Sequence, residues 1–128
     1  MIGPRGHPLH PVLAIAPLAL LGAALASDLA LTVTGDPHWV DAARFALGAS
    51  LIAAVVVAIP GIVDGLAYPV GARAVPVRHG VLNGVAFALV AASWALRPDQ
   101  APLLARMLAI AGAGIAIVAW RVGRRLTR

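Results

Sequence analysis

Four apolar runs, at about residues 12–34, 42–63, 79–96 and 103–120, follow one another along the chain with short polar breaks between them. Crossing a bilayer core roughly 30 Å thick takes about 20 apolar residues of helix, since nothing in hydrocarbon satisfies a bare backbone N–H or C=O. Each run approaches that length and is bounded by Pro, Gly or charge, so each is expected to be a transmembrane helix. The third and fourth runs are the shorter pair and the fourth carries Arg106 near its start, so these two depend on packing. The breaks GDPHWVD, DGLAYPVGARAVPVR and RPDQAP have no room for a folded domain, and such short links make consecutive helices antiparallel neighbours. The expected fold is all-α: a polytopic membrane protein, an up-down bundle of four transmembrane helices forming a single domain over residues 1–128.

Composition agrees with that fold and removes several chemistries. Of 128 residues, 61% are hydrophobic and 12% charged, whereas a soluble domain is roughly a quarter charged. Cysteine is absent, which excludes disulfides, thiolate metal sites and a thiol nucleophile from this chain. The net charge of +5 arises from ten Arg against five Asp with no Lys or Glu. In a soluble protein a pI near 11.6 points to nucleic acid; in a membrane protein it reports orientation, and the expected partners are membrane lipids with no nucleic acid. With four spans, Arg5, Arg73, Arg78, Arg121, Arg124, Arg125 and Arg128 share one side and Arg44, Arg97 and Arg106 the other, so both termini are expected to be cytoplasmic. The first run also imitates a signal peptide, with Ala24-Leu25-Ala26 before Ser27, but apolar residues resume from Leu29 to Val33 and the helix is expected to be retained.

Polar residues are the informative ones in so apolar a chain, because an ionisable group in the bilayer costs at least about 2.5 kcal/mol and needs a partner. Asp28 lies about 24 Å up the first helix from Val12 at 1.5 Å per residue, towards the outer side. Arg44 and Arg106 open the second and fourth helices from that same side, so a structural ion pair from Asp28 to one of them is expected, ahead of a proton-carrying role.

A second polar group gathers at the cytoplasmic end. It comprises His7 and His10 of GHPLHP, Asp64 near the end of the second helix, and His79 and Asn83 at the start of the third. His7 and His10 each precede Pro, which places them in an extended lead-in to the first helix. His79 and Asn83, four apart, share a helix face beside the Gly80/Gly84 pair, whose spacing lets a neighbouring backbone approach. Pro60 and Gly61 precede Asp64, and the missing Pro60 N–H leaves the Val56 carbonyl without its usual donor.

Three chemistries suit this set. The side chains can hydrogen-bond loops and helix ends; imidazole can ligate a transition metal or haem, with Asp64 completing or orienting the set; or the group can carry protons or ions. His38, in a turn beside Asp36 and Pro37, is not expected to be a ligand, and Asp36 or Asp41 is placed to cap the second helix. Trp39, Trp94 and Trp120 read as interfacial anchors. No Ser/His/Asp order, phosphate-binding Gly loop or continuous polar lining is present, which points away from an enzyme and from a pore.

GHPLHP, the SDLALTVTGD ending of the first helix, AIPGIVDGL and RHGVLNG together resemble a bacterial family of small four-helix membrane proteins of unknown function. The resemblance covers nearly the whole chain and rests on His7, His10, Asp28, Pro60, Gly61, Asp64, His79 and Asn83. It implies the bacterial inner (plasma) membrane and, because similar domains occur joined to Rieske-type iron–sulfur domains, a redox setting. This chain holds no such domain, so an electron donor or acceptor would be a separate subunit. The functional expectation is a small inner-membrane protein with a candidate metal- or haem-binding site (haem b or a transition metal) on His7, His10, His79 and Asp64, supported by Asn83, Pro60 and Gly61. The alternative is an accessory subunit without cofactor, packed as a homo-oligomer or within a larger membrane complex.

Overall fold

The structure is a computed structural model and describes residues 12–97 and 101–124. Among the described residues the chain forms four α-helices, α1 (Ile15–Thr34), α2 (His38–Leu66), α3 (Ala74–Ala95) and α4 (Leu103–Gly123), with a 3-10 turn at Val70–Ala72 between α2 and α3. All four are long and apolar enough to cross a membrane. The protein is therefore an all-helical four-span membrane bundle.

Burial is inverted relative to a soluble bundle. Ala24, Ala43, Ala46, Ala86, Ala105, Ala109 and Ala119 are buried, whereas Leu29, Phe45, Ile52, Ile59, Ile62, Leu103 and Ile110 are exposed. Small side chains let the helix backbones close on one another, and the large apolar ones face outward where hydrocarbon solvates them as well as a protein core would. The central cluster is Leu21, Ala24, Ala46, Leu47, Val90 and Ala109, one or two residues from each helix. α3 packs most extensively on α4 and α1 on α2; α2 on α3 and α1 on α4 close the ring more lightly.

The α1–α2 turn and the α3–α4 connection lie at the hairpin end; the start of α1, the α2–α3 connection and the finish of α4 lie at the terminal end. The α1–α2 turn needs only Gly35, Asp36 and Pro37. Gly35 adopts φ 69°, a left-handed conformation that a side chain disfavours, and its N–H closes α1 onto the Leu31 carbonyl at 2.8 Å. Asp36 Oδ1 then accepts the His38 N–H at 3.0 Å and so caps α2, one of the two carboxylates expected to do so.

Helix limits depart from the sequence expectation in a consistent way. α2 runs from His38 to Leu66 where 42–63 was expected, and α3 starts at Ala74 where 79 was expected. At 29 residues α2 is about 43 Å long, so it extends beyond a roughly 30 Å hydrocarbon core. The helices carry their polar and Pro-bearing ends with them. Pro76 sits in the first turn of α3, where its missing N–H costs nothing. Pro60 lies inside α2, which continues through it for six more residues. Arg73 closes the far end of α2, donating from Nε to the Tyr68 carbonyl at 2.9 Å and from Nη2 to the Leu66 carbonyl at 3.0 Å.

Candidate functional site

At the hairpin end, Asp28 and Arg97 form a bidentate ion pair inside the bundle. Arg97 Nη1 donates to Asp28 Oδ1 at 2.6 Å and Nη2 to Oδ2 at 2.8 Å. The Arg97 side chain is fully buried and that of Asp28 is 9% exposed. Two parallel charge-assisted bonds in fork geometry are the arrangement that best repays desolvating both ions, a penalty of several kcal/mol each. Arg97 Nε is buried with no hydrogen-bond partner among the described residues.

The pair corrects the expected partners. Arg97, just past the last turn of α3, takes the place expected for Arg44 or Arg106; of the three only Arg97 is buried. Arg44 instead places its guanidinium 5.5 Å from the centroid of the Trp94 ring. Arg106 donates from Nη1 to Thr32 Oγ1 at 2.9 Å and from Nε to the Ala101 carbonyl at 2.9 Å. Thr32 in turn donates to the Asp28 carbonyl at 2.9 Å, so Arg106 ties α4 to the same turn of α1 that carries Asp28. Ser93 Oγ donates to the Ala105 carbonyl at 2.6 Å and joins α3 to α4 one turn away. Nearer the middle, Ser50 Oγ donates to the Pro17 carbonyl at 2.8 Å, joining α2 to α1. Pro17 is one residue whose carbonyl an intact helix would otherwise leave to Leu21 alone.

At the terminal end the site is centred on His79. Its Nδ1 lies 2.8 Å from the Ala119 carbonyl on α4, and a carbonyl accepts only, so Nδ1 carries the ring proton. Nε2 then accepts from Asn83 Nδ2 at 3.1 Å, and the same amide reaches the His79 carbonyl at 2.9 Å. The ring also lies against Gly123, where an added Cβ would stand 2.7 Å from His79 Cε1. His79 is therefore a joint between α3 and the last turns of α4. It is the sixth residue of α3 and not its first, as the expected start at residue 79 had placed it.

Of the other residues expected here, His7 and His10 lie outside the described residues. Asp64 is half-buried in the last turn of α2 and, among the described residues, has no hydrogen bond to His79 or Asn83. Among the described residues no three His, Cys, Asp or Glu side chains gather closely enough to hold a metal ion. The His79–Asn83 pair expected from its spacing is thus present, but the wider ligand set is not assembled by the described residues. Gly65 does bring α2 against α3, where an added Cβ would stand 3.8 Å from Pro76 Cβ, whereas Gly80 and Gly84 have open space where their side chains would be.

Sequence reasoning passed over Arg97, Arg73, Ser50 and Ser93. The signal for Arg97 was available: it directly ends the third apolar run, at the same depth as Asp28 in an up-down bundle. For the two serines there was none, since either could equally have bonded back to its own helix.

An apolar four-helix chain of this length, with a buried Asp–Arg pair at one end and a His–Asn pair at the other, matches a family model described as predicted membrane protein (DUF2231) over residues 6–127. The chain belongs to the DUF2231 family. No curated protein matches this DUF2231 chain, and no solved structure does. The matched residues span all four helices of the DUF2231 bundle and both of its polar sites.

Proposed function

We propose that this DUF2231 protein is an accessory membrane subunit: a bundle braced at both ends that works by packing beside another membrane protein or a second copy of itself. The observation that carries the reading is where its polar side chains go. Asp28, Arg97, Thr32, Arg106, Ser50, Ser93 and His79 all bond across helices of the same chain. Polar groups spent on internal joints make a rigid insert, and a bundle with short connections has mainly its lipid-facing sides to offer a partner. The open Gly80/Gly84 side of α3 is where a partner helix would approach most closely. Cysteines introduced at exposed Val77 and Val81 in native membranes test this, since the parent chain has none. The reading expects crosslinks to a discrete partner or to a second copy; monomer alone, at these and at other lipid-facing positions, would overturn it.

A second reading, a haem or metal site, is favoured by the His79 tautomer. A ligating histidine usually donates its other ring N–H to a carbonyl or carboxylate, and His79 does so to Ala119, which leaves the lone pair on Nε2. His7 and His10 precede α1 in the sequence, and Asp64 lies at the end of the bundle where α1 starts. For ligation the Asn83 amide would have to release Nε2. A Soret band or bound metal in gently purified protein, lost in His79→Ala, would establish this reading; neither signal would exclude it.

A further inference from the structure

A groove on the outside of the bundle combines an apolar floor with a charged mouth. It runs along the first turns of α2 and is closed on one side by Trp94 from the last turn of α3. Asp41 and Arg44 form its head, and Phe45, Gly48, Ala49 and Ile52 line its floor. These residues fall at the three- and four-residue spacings that keep one helix face, so the groove follows the helix axis. Its volume is about 530 Å³. From Asp41 to Ile52 it descends about 16 Å, half of a roughly 30 Å hydrocarbon core, which is the depth of one leaflet.

Gly48 makes the groove possible. An added Cβ there would stand 3.2 Å from Trp94 Nε1, so the indole rests on the α2 backbone and leaves a trough beside it. Arg44 is held over the same ring, which fixes the cation at the mouth. Asp41, three residues earlier on that face, is exposed and lines the same groove.

We propose that this groove binds one phospholipid whose head carries both a phosphate and a primary ammonium, from the leaflet at the hairpin end. Arg44 takes the phosphate, Asp41 accepts hydrogen bonds from the ammonium, and one acyl chain lies along Gly48, Ala49 and Ile52. The mixed sign of the mouth selects the head group. An anionic head without an ammonium meets the Asp41 carboxylate unfavourably, and a quaternary ammonium has no N–H to donate to it.

Native mass spectrometry of the full chain released from mixed bilayers of phosphatidylethanolamine, phosphatidylglycerol and phosphatidylcholine tests the assignment. The expected result is one retained phosphatidylethanolamine per chain. Retention should fall about tenfold in Arg44→Gln, the equivalent of one charge-assisted bond at about 1.4 kcal/mol. Ala49→Phe, which fills the floor, should abolish retention, and Asp41→Asn should keep a lipid but lose the preference for the ethanolamine head. Ile110→Phe, on the exposed side of α4, should change nothing, and circular dichroism melts identify any variant that fails to fold. No retained lipid, a preference for phosphatidylglycerol, or equal retention in Ala49→Phe and the parent chain would each overturn the proposal.

Discussion

A carboxylate inside a bilayer must find a donor, and the residue scale of this protein is largely the record of which donors were within reach. That Asp28 would be paired was legible in the sequence; Arg97 was legible as the residue that ends the third apolar run, but Arg44 and Arg106, which open helices from the same side, compete for the place on residue type alone. His79 and Asn83 were legible as a pair from their spacing, whereas the third member, the Ala119 carbonyl, carries no residue-type signature at all. Gly123 gives this joint a test. Gly123→Ala puts a Cβ 2.7 Å from the His79 ring and should cost about 1–3 kcal/mol of unfolding free energy. In a His79→Ala background the same substitution should cost little, so the two effects are strongly non-additive when measured by denaturant unfolding in micelles. Additive costs would show that the ring does not occupy that space.

Outside the membrane-spanning part, the Asp36 carboxyl is held below the usual carboxylate range, chiefly because the His38 backbone N–H donates to it. Burial pushes the other way, and the His38 side chain adds smaller lowering contributions. A depressed folded value means that the cap stabilises the turn in full above the ordinary carboxylate range, and that this contribution disappears as pH falls through the lowered value. A carboxyl-carbon titration by NMR should therefore give Asp36 a midpoint below that of an unstructured Asp. A midpoint at or above it would contradict the cap.

At the scale of elements, what decides the packing is how closely α3 and α4 approach. Gly112 is buried on α4 with Val90 Cγ2 2.8 Å and the Ala86 carbonyl oxygen 3.3 Å from where its Cβ would stand. The Val90 methyl can rotate away but the carbonyl belongs to a helix backbone, so Gly112→Ala must separate the two helices. A loss of about 1–3 kcal/mol is expected, recovered only in part by adding Val90→Ala. Full recovery would mean that the backbones are not in contact there. The four apolar runs made these elements easy to read, and their order and antiparallel sense followed from the short breaks. The ends did not follow, because Pro76 and Arg78 were read as separators. In the structure Pro76 occupies the first turn of α3, the one place in a helix where a missing N–H is harmless.

For the whole molecule, the two polar joints sit at opposite ends of a body whose interior is mostly alanine, glycine and serine, with Leu21, Leu47 and Val90 its larger members. Such an interior buries little apolar area per contact, and in lipid there is no water to drive helices together, so joints at the ends carry a large share of the cohesion. The up-down order also places the start of α1 and the finish of α4 at one end. Labelling of single cysteines at Val12 and Arg124 should therefore occur from one side of the membrane only, and opposite-side labelling would contradict the four-span topology. Asp28 and Arg97 work as a single buried joint, and a double-mutant cycle in bilayer discs tests this most directly. Asp28→Leu and Arg97→Met should each cost about 3–5 kcal/mol, because each leaves the other charge buried alone. The double substitution should cost far less than their sum, with a coupling of about 2 kcal/mol or more. Two costs that simply add would mean that the charges are not paired inside the bundle, and the account of a bundle braced at both ends would fail.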